Sequence, residues 1–294
     1  MEINKIWNES NEVTMREHID EYSVDLVMTS PPYNNSHDNN DRTNTKANNY
    51  RAYRAANAGQ YKDSKGNFVG IGSYHKKYDV YLDMKTTEEY CDWIVSIFNQ
   101  FDRILKHDGV VLWNVSYQNE NNECASWLSL ADVVRKTNFT IVDHIVWKKK
   151  ATIPITQKNK LSKICEDVFV FARKDEWTSF HANKEYVNTS RTGQKFYKPV
   201  YNLIEADNND EVCPYNKATY STDLCYQLFK IYAPDGGLVY DPFMGSGTTA
   251  LAAKNMNLNF IGSELSKNQV EWAENRLLYG KGHINEERDP KALF

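Results

Sequence analysis

Two short runs of apolar residues stand out along the chain, and each is closed by turn-forming residues. Val24-Asp25-Leu26-Val27-Met28 leads into Thr29-Ser30-Pro31-Pro32-Tyr33, and Gly237-Leu238-Val239-Tyr240 leads into Asp241-Pro242-Phe243-Met244-Gly245-Ser246-Gly247-Thr248-Thr249. Runs this short, rich in β-branched residues and bounded by Gly or Pro, predict buried strands. The same pattern predicts strands at Val110–Trp113, Thr140–Trp147, Asp167–Phe171 and Phe260–Ile261. Apolar positions at helical spacing predict helices over Thr87–Leu105, Trp127–Lys136, Leu224–Tyr232, Thr248–Asn255 and Lys267–Leu278. Strands alternating with helices imply an α/β fold with a doubly wound, mostly parallel sheet.

Two stretches break that rhythm. Residues 34–77 are poor in aliphatics and basic, with Arg42, Arg51 and Arg54 among eight basic residues that oppose Asp38, Asp41 and Asp63. Residues 174–212 are polar and centre on Arg191-Thr-Gly-Gln-Lys195-Phe-Tyr-Lys198. Between them, Lys148, Lys149, Lys150, Lys158, Lys160 and Lys163 fall in a segment without acids. Polar segments of this length inside a compact domain are usually functional or disordered.

Composition narrows the class. The 294 residues, 41% hydrophobic and 13% aromatic, supply a full-sized core and exclude disorder over the whole chain. No run approaches the roughly 18 apolar residues of a membrane span, and the N-terminal residues have the pattern of no secretory signal. Five cysteines without a CxxC pair give no disulfide framework or zinc site, so a reducing cytoplasm is expected. No histidines share metal-ligand spacing, and no metal is expected. The net charge of −4 hides three basic segments interleaved with aromatic residues. Cations for phosphates and rings for bases together favour a polyanion partner.

The glycine loop carries the first specific chemistry. Gly245-x-Gly247-x-x-Ala250 lies between a strand and a helix, and Glu264 follows the next strand, where an acid would hold ribose hydroxyls. The absence of a lysine after Gly247 excludes a phosphate-binding P-loop, so the loop points to an adenosine-type cofactor. The Ser30-Pro31-Pro32-Tyr33 turn carries the second. Its prolines fix the backbone and remove two donors. What remains is a rim of acceptors, the Ser30 hydroxyl and the Pro31 carbonyl, beside an aromatic face that suits an exocyclic amine on a flat ring.

The pair of motifs resembles the amino-directed DNA methyltransferases. Thr29–Tyr33 is similar to their catalytic motif and Asp241–Thr249 to their S-adenosylmethionine loop. Ser23–Leu26, Tyr78-Asp79-x-Tyr81, Leu105-x-x-Asp108-Gly109, Ile145–Lys149 with Glu166–Phe169, and Ile261-Gly262-x-Glu264 resemble further family segments. The likeness spans residues 1–279, with the catalytic turn before the cofactor loop, the permuted order of the β class.

It implies a Rossmann-like methyltransferase fold: a catalytic half over 1–150 with the inserted basic loop 34–77, a small target-recognition segment over 151–212, a cofactor half over 213–279 and a tail over 280–294. S-adenosyl-L-methionine would be the cofactor. Asp241, Pro242, Phe243, Gly245, Ser246, Gly247, Thr248, Thr249, Glu264 and Leu265 would bind it. Cys213-Pro214 and Tyr220-Ser221-Thr222 replace the family's His-Pro and Phe-Pro pattern, which leaves the hydroxyls of Ser221 and Thr222 to hold the methionine end.

Ser30, Pro31, Pro32 and Tyr33 would be catalytic on a flipped base. Arg42, Arg51, Arg54, Lys148, Lys149, Lys150, Lys158, Lys160, Arg191 and Lys195 would contact double-stranded DNA. The Ser-Pro-Pro-Tyr form favours cytosine N4, with adenine N6 as the alternative and an RNA or protein amide more distant. Homodimers and a partner endonuclease are arrangements the family admits. A nucleotide-dependent oxidoreductase would account for the glycine loop but not for Thr29–Tyr33, and a DNA-binding module without catalysis would account for the basic segments alone.

Overall fold

The computed structural model describes residues 1–34, 61–62, 68–69, 85–116, 124–152, 154–155, 158–216 and 218–280. Arg42, Arg51, Arg54, most of the 34–77 loop and the tail beyond Gly280 lie outside them. The strands are β1 (Lys5–Trp7), β2 (Val24–Thr29), β3 (Tyr61–Lys62), β4 (Phe68–Val69), β5 (Leu105–Val115), β6 (Phe139–Lys149), β7 (Cys165–Arg173), β8 (Tyr186–Thr189), β9 (Lys195–Tyr197), β10 (Leu203–Ala206), β11 (Leu238–Asp241) and β12 (Asn259–Ser263). The helices are α1 (Asn11–His18), α2 (Thr87–Ile104), α3 (Ala125–Lys136), α4 (Thr222–Tyr232), α5 (Thr248–Asn255) and α6 (Lys267–Tyr279).

Eight strands form one sheet in the order β1-β12-β11-β2-β5-β7-β6-β10. Every neighbouring pair is parallel except the two that β7 makes, with β5 and β6. Strand periodicity sends alternate side chains to opposite faces. Leu26 and Met28 of β2 join one apolar cluster with α4, α5 and α6, while Val27 joins a second with α1, α2 and α3, as does Val24, which a register irregularity before Leu26 turns to that face. The sheet is therefore covered on both faces and doubly wound, as the alternation of patterns implies.

The helices start where side chains can satisfy free backbone donors. Thr86 and Glu89 form a reciprocal capping box at α2. Ser10, Ser221 and Ser266 cap α1, α4 and α6. The elements absent from the sequence pattern are short or peripheral: β1, α1, β10, and the antiparallel pairs β3–β4 and β8–β9. Segment 151–212 shares strands with the main sheet. It supplies β7, which lies between β5 and β6, and the edge strand β10, and only β8–β9 forms a separate sheet.

The connectivity fixes where a site can form. From β2 the chain passes through α2 to β5 on one side, and from β11 through α5 to β12 on the other. Since α2 and α5 cover opposite faces, the adjacent ends of β2 and β11 open a crevice where the strand order reverses. That crevice separates two loops distant in sequence by the width of one strand pair.

Candidate active site

Two threonines and a tyrosine join the loops through one carboxylate. Asp241 ends β11 and is fully buried. Its Oδ1 accepts from Thr29 Oγ1 at 2.6 Å and from the Phe243 amide at 3.0 Å. Its Oδ2 accepts from Thr249 Oγ1 at 2.6 Å and from the Tyr220 hydroxyl at 3.1 Å. Both oxygens thus hold protein donors, and Asp241 acts as the hub that fixes the glycine loop to the end of β2. Burial pushes its carboxyl above the ordinary range, against the pull of those hydrogen bonds. Burial, then the adjacent Asp241 charge, pushes the Tyr220 hydroxyl up as well.

Glycine is required twice in the loop. Gly245 has φ +54°, and a Cβ there would come 2.7 Å from Asn216 Nδ2. Gly247 has φ +80° at the start of α5, and a Cβ would come 2.5 Å from the Cβ of Ala273 on α6. The Gly245 amide donates to Glu264 Oε2 at 2.8 Å, and Glu264 Oε1 accepts from the Ser266 amide at 2.9 Å. Arg276, 2% exposed on α6, donates to the Ser246 carbonyl and Thr248 Oγ1 and pairs with Asp210 at 2.6 Å. A buried guanidinium with these partners clamps the loop from behind.

A cavity of about 220 Å³ opens between the loops. Pro242, Phe243, Gly245, Ser246, Thr248, Glu264 and Leu265 line it, and so do Ser30 and Pro32 from the other side. Gly247, Thr249 and Asp241 support this wall from behind. Trp93 meets Phe243 edge to face, with centroids 5.5 Å apart. The far wall is the start of α1, Glu9 through Glu12. There Asn11 is buried, yet its Oδ1 has no hydrogen-bond partner among the described residues. A flat apolar wall, a carboxylate at a strand end and an unused acceptor fit a nucleoside with polar ends.

Ser221 and Thr222 stand elsewhere. Ser221 Oγ donates to the Asp207 carbonyl and caps α4, and Thr222 bonds to Asp210. Neither lines the cavity; Asn216, Ala218, Thr219 and Tyr220 fill that place. The helix start draws the Ser221 hydroxyl away, because the free Leu224 amide there needs an acceptor, and the Thr222 hydroxyl donates to Asp210 instead. Asn8 Nδ2 donates to the carbonyls of Glu264 and Leu265, which ties the N-terminal segment to the cavity rim.

The Ser-Pro-Pro-Tyr turn continues β2. Ser30 Oγ lies 2.6 Å from the Tyr33 hydroxyl, which donates to Asn114 Oδ1 at 3.4 Å. The Pro32 carbonyl accepts from the Tyr90 hydroxyl at 2.9 Å. Asn34 anchors the turn's end through both polar atoms to the Lys85 backbone. Ser30 lines the cavity, while Pro31 is buried and its carbonyl has no partner among the described residues.

The lysine run does not offer free charge. Lys148 pairs with Glu205 at 2.6 Å, Lys149 with Glu166, and Lys150 with Asp207 at 3.1 Å. These acids sit on β7, on β10 and just after β10, where the sheet places them opposite or beside β6. Sequence distance had hidden that proximity. Lys158, Lys160, Arg191 and Lys195 are exposed and have no ion-pair partner among the described residues. Arg191 sits in the turn of the β8–β9 hairpin and Lys195 opens β9; Tyr186 and Tyr197 of that hairpin pack edge to face.

The described helices include none long and apolar enough to cross a membrane. The family model described as "DNA methylase" matches residues 24–275, so the chain belongs to the DNA methylase family that methylates N6 or N4 amines. Type II methyltransferase M.BglII from Bacillus subtilis is 25% identical over 92% of this chain and 68% of its own length. The fold of PvuII DNA methyltransferase (cytosine-N4-specific) superposes with a TM-score of 0.63 at 18% identity, covering 98% of this chain and 89% of that one. The crystal structure of the M1.HpyAVI–SAM complex superposes with a TM-score of 0.51 at 18% identity, covering 93% and 98%.

Proposed function

We propose that this DNA methyltransferase uses S-adenosyl-L-methionine to methylate the exocyclic N4 amine of a cytosine flipped out of double-stranded DNA. The observation that carries the reading is the cavity mouth. Ser30 and Pro32 border a cavity whose opposite wall is the glycine loop, with Glu264 at its edge. Bound there, the cofactor supplies an electrophilic methyl group on a sulfonium. Glu264, Asn11 and the Phe243 face are the residues placed to hold it, and the M1.HpyAVI structure, a complex with SAM, supports the choice of cofactor.

An exocyclic amine is a weak nucleophile because its lone pair is delocalised into the ring. Two acceptors on its hydrogens rotate it and localise the pair along the transfer direction, so alignment supplies most of the catalysis. Tyr33 holds the ring. The amine nitrogen would gain the methyl as its bond to the cofactor's sulfur breaks, leaving a neutral thioether, and the nitrogen's surplus proton would pass to solvent, with no covalent intermediate. Within a duplex the amine is out of reach, so the base leaves the stack. Arg191, Lys195, Lys158 and Lys160 supply phosphate contacts, with Arg42, Arg51 and Arg54 of the basic loop.

Incubation with unmethylated DNA and S-adenosylmethionine, digestion to nucleosides and mass spectrometry tests the reading. N4-methylcytosine is the expected product. N6-methyladenine would overturn the base assignment and leave the amine mechanism in place. No methylated nucleoside, with cofactor binding intact, would overturn the DNA substrate.

A further inference from the structure

We propose that Leu161 is the wedge that enters the base stack when the target base leaves it, with Lys158 and Lys160 holding the phosphates around it. This rests on the base-flipping reading above and adds to it a residue outside both motifs. An exposed leucine alone is ordinary; the setting of this one is not. Leu161 is 89% exposed, more than any other large hydrophobic side chain among the described residues. It follows Lys158 and Lys160, exposed cations without an ion-pair partner among the described residues, and no acid lies between Lys150 and Cys165. The chain on both sides of it is tied down. Ser162 Oγ accepts from the Ile155 amide at 2.9 Å, the Lys163 carbonyl from Thr152 Oγ1 at 2.8 Å, and the Ile164 carbonyl from the Lys149 amide at 2.8 Å. Asn208 Nδ2 holds the Ala151 carbonyl at 2.6 Å. Leu161 is thus presented from a closed hairpin.

The sheet register places that hairpin beside the catalytic turn. Thr29, the last residue of β2, is level with Trp113 of β5, Trp113 with Phe169 of β7, and Phe169 with His144 of β6. From His144, β6 runs on to Lys149, which carries it about 16 Å past the level where the turn begins. In the sheet order β7 stands two strands from β2 and β6 three, a distance of about 10 to 15 Å. The β6–β7 ribbon is therefore a wall next to the turn, at the same end of the sheet, with Leu161 in its connecting loop. A base seated against Ser30 leaves a gap in the stack on the solvent side of the turn, where this wall stands. A two-stranded ribbon fits a DNA groove. Proteins that unstack DNA fill the opened step with apolar side chains, leucine among them. The two lysines add the charge that the adjoining backbone requires.

Sequencing the positions that the wild-type protein methylates in unmethylated genomic DNA supplies the site, and a duplex oligonucleotide carrying it is the test substrate. Leu161→Ala is expected to lower kcat/KM on the matched duplex about tenfold, with S-adenosylmethionine affinity by calorimetry unchanged. A mismatch opposite the target base leaves that base unpaired before binding, so on that duplex the variant is expected to return to within about twofold of wild type. Leu161→Phe keeps an apolar wedge and is expected to retain activity on the matched duplex. Wild-type kcat/KM for Leu161→Ala on the matched duplex would overturn the proposal. An equal loss on both duplexes would overturn it too, since an ordinary DNA contact is indifferent to the pairing of the target. Wild-type protein that methylates no DNA would instead contradict the amine-methylation reading, before any variant is compared.

Discussion

The ends of β2 and β11 lie side by side, yet they are built in opposite ways. At β11 both oxygens of Asp241 hold protein donors, Arg276 clamps the loop from behind, and two glycines adopt left-handed backbone under close contact. At β2 the prolines fix the backbone while leaving acceptors unused, and the Ser30 hydroxyl has a single hydrogen-bond partner among the described residues. A loop that binds the same molecule at each turnover gains from being saturated and rigid. A loop that must polarise a reacting amine gains from keeping acceptors open and fixing only their direction. The contrast fits the proposed division of binding to one loop and alignment to the other.

The largest expected effect falls on the saturated side. Asp241→Ala leaves the hydroxyls of Thr29, Thr249 and Tyr220 without their acceptor in a buried site. Unfolding in urea is expected to show a loss of about 3 kcal/mol, with cofactor binding lost as the loop detaches from β2. Next comes Ser30→Ala, which removes an acceptor and little else. Its kcat is expected to fall about 100-fold, a size typical for one group that acts on the transition state, with an unfolding midpoint within error of wild type. Equal damage to stability in both variants would erase the distinction between the loops.

Smaller effects sharpen a second contrast, between paired and free cations. Arg191→Ala is expected to weaken DNA binding severalfold and to reduce the slope of log affinity against log salt by about one. Lys148→Met removes a cation already neutralised by Glu205 and is expected to leave that slope unchanged. A larger loss for Lys148→Met than for Arg191→Ala would show that the β6 lysines leave their acids to meet DNA.

The strands and helices with strong periodicity were legible in the sequence because burial on a sheet face or helix stripe dictates them. β2, β11, α2 and α6 sit within a residue or two of their patterns. β1 and β10 were not, because edge strands of three and four residues carry too little alternation. Within the site, the glycine loop and the Pro-Pro-Tyr turn were visible because unusual backbone demands unusual residues. Tyr220, Arg276, Asn11 and Asn114 were not, since each owes its place to packing between elements far apart in the chain. Ser221 and Thr222 stand away from the cavity for the converse reason: a hydroxyl at a helix start is as much a structural group as a ligand, and Ser221 caps α4 while Thr222 donates to Asp210. The lysine run at 148–150 read as a cationic patch because its acids lie 17 to 73 residues away in sequence.

The division of labour is tested most directly by titrating S-adenosylmethionine into Ser30→Ala while analysing the nucleosides of DNA incubated with the same variant. Cofactor affinity within about twofold of wild type, together with no detectable methylated base, is the expected result. Lost cofactor affinity, or methylation at the wild-type rate, would contradict the assignment of alignment to the β2 turn.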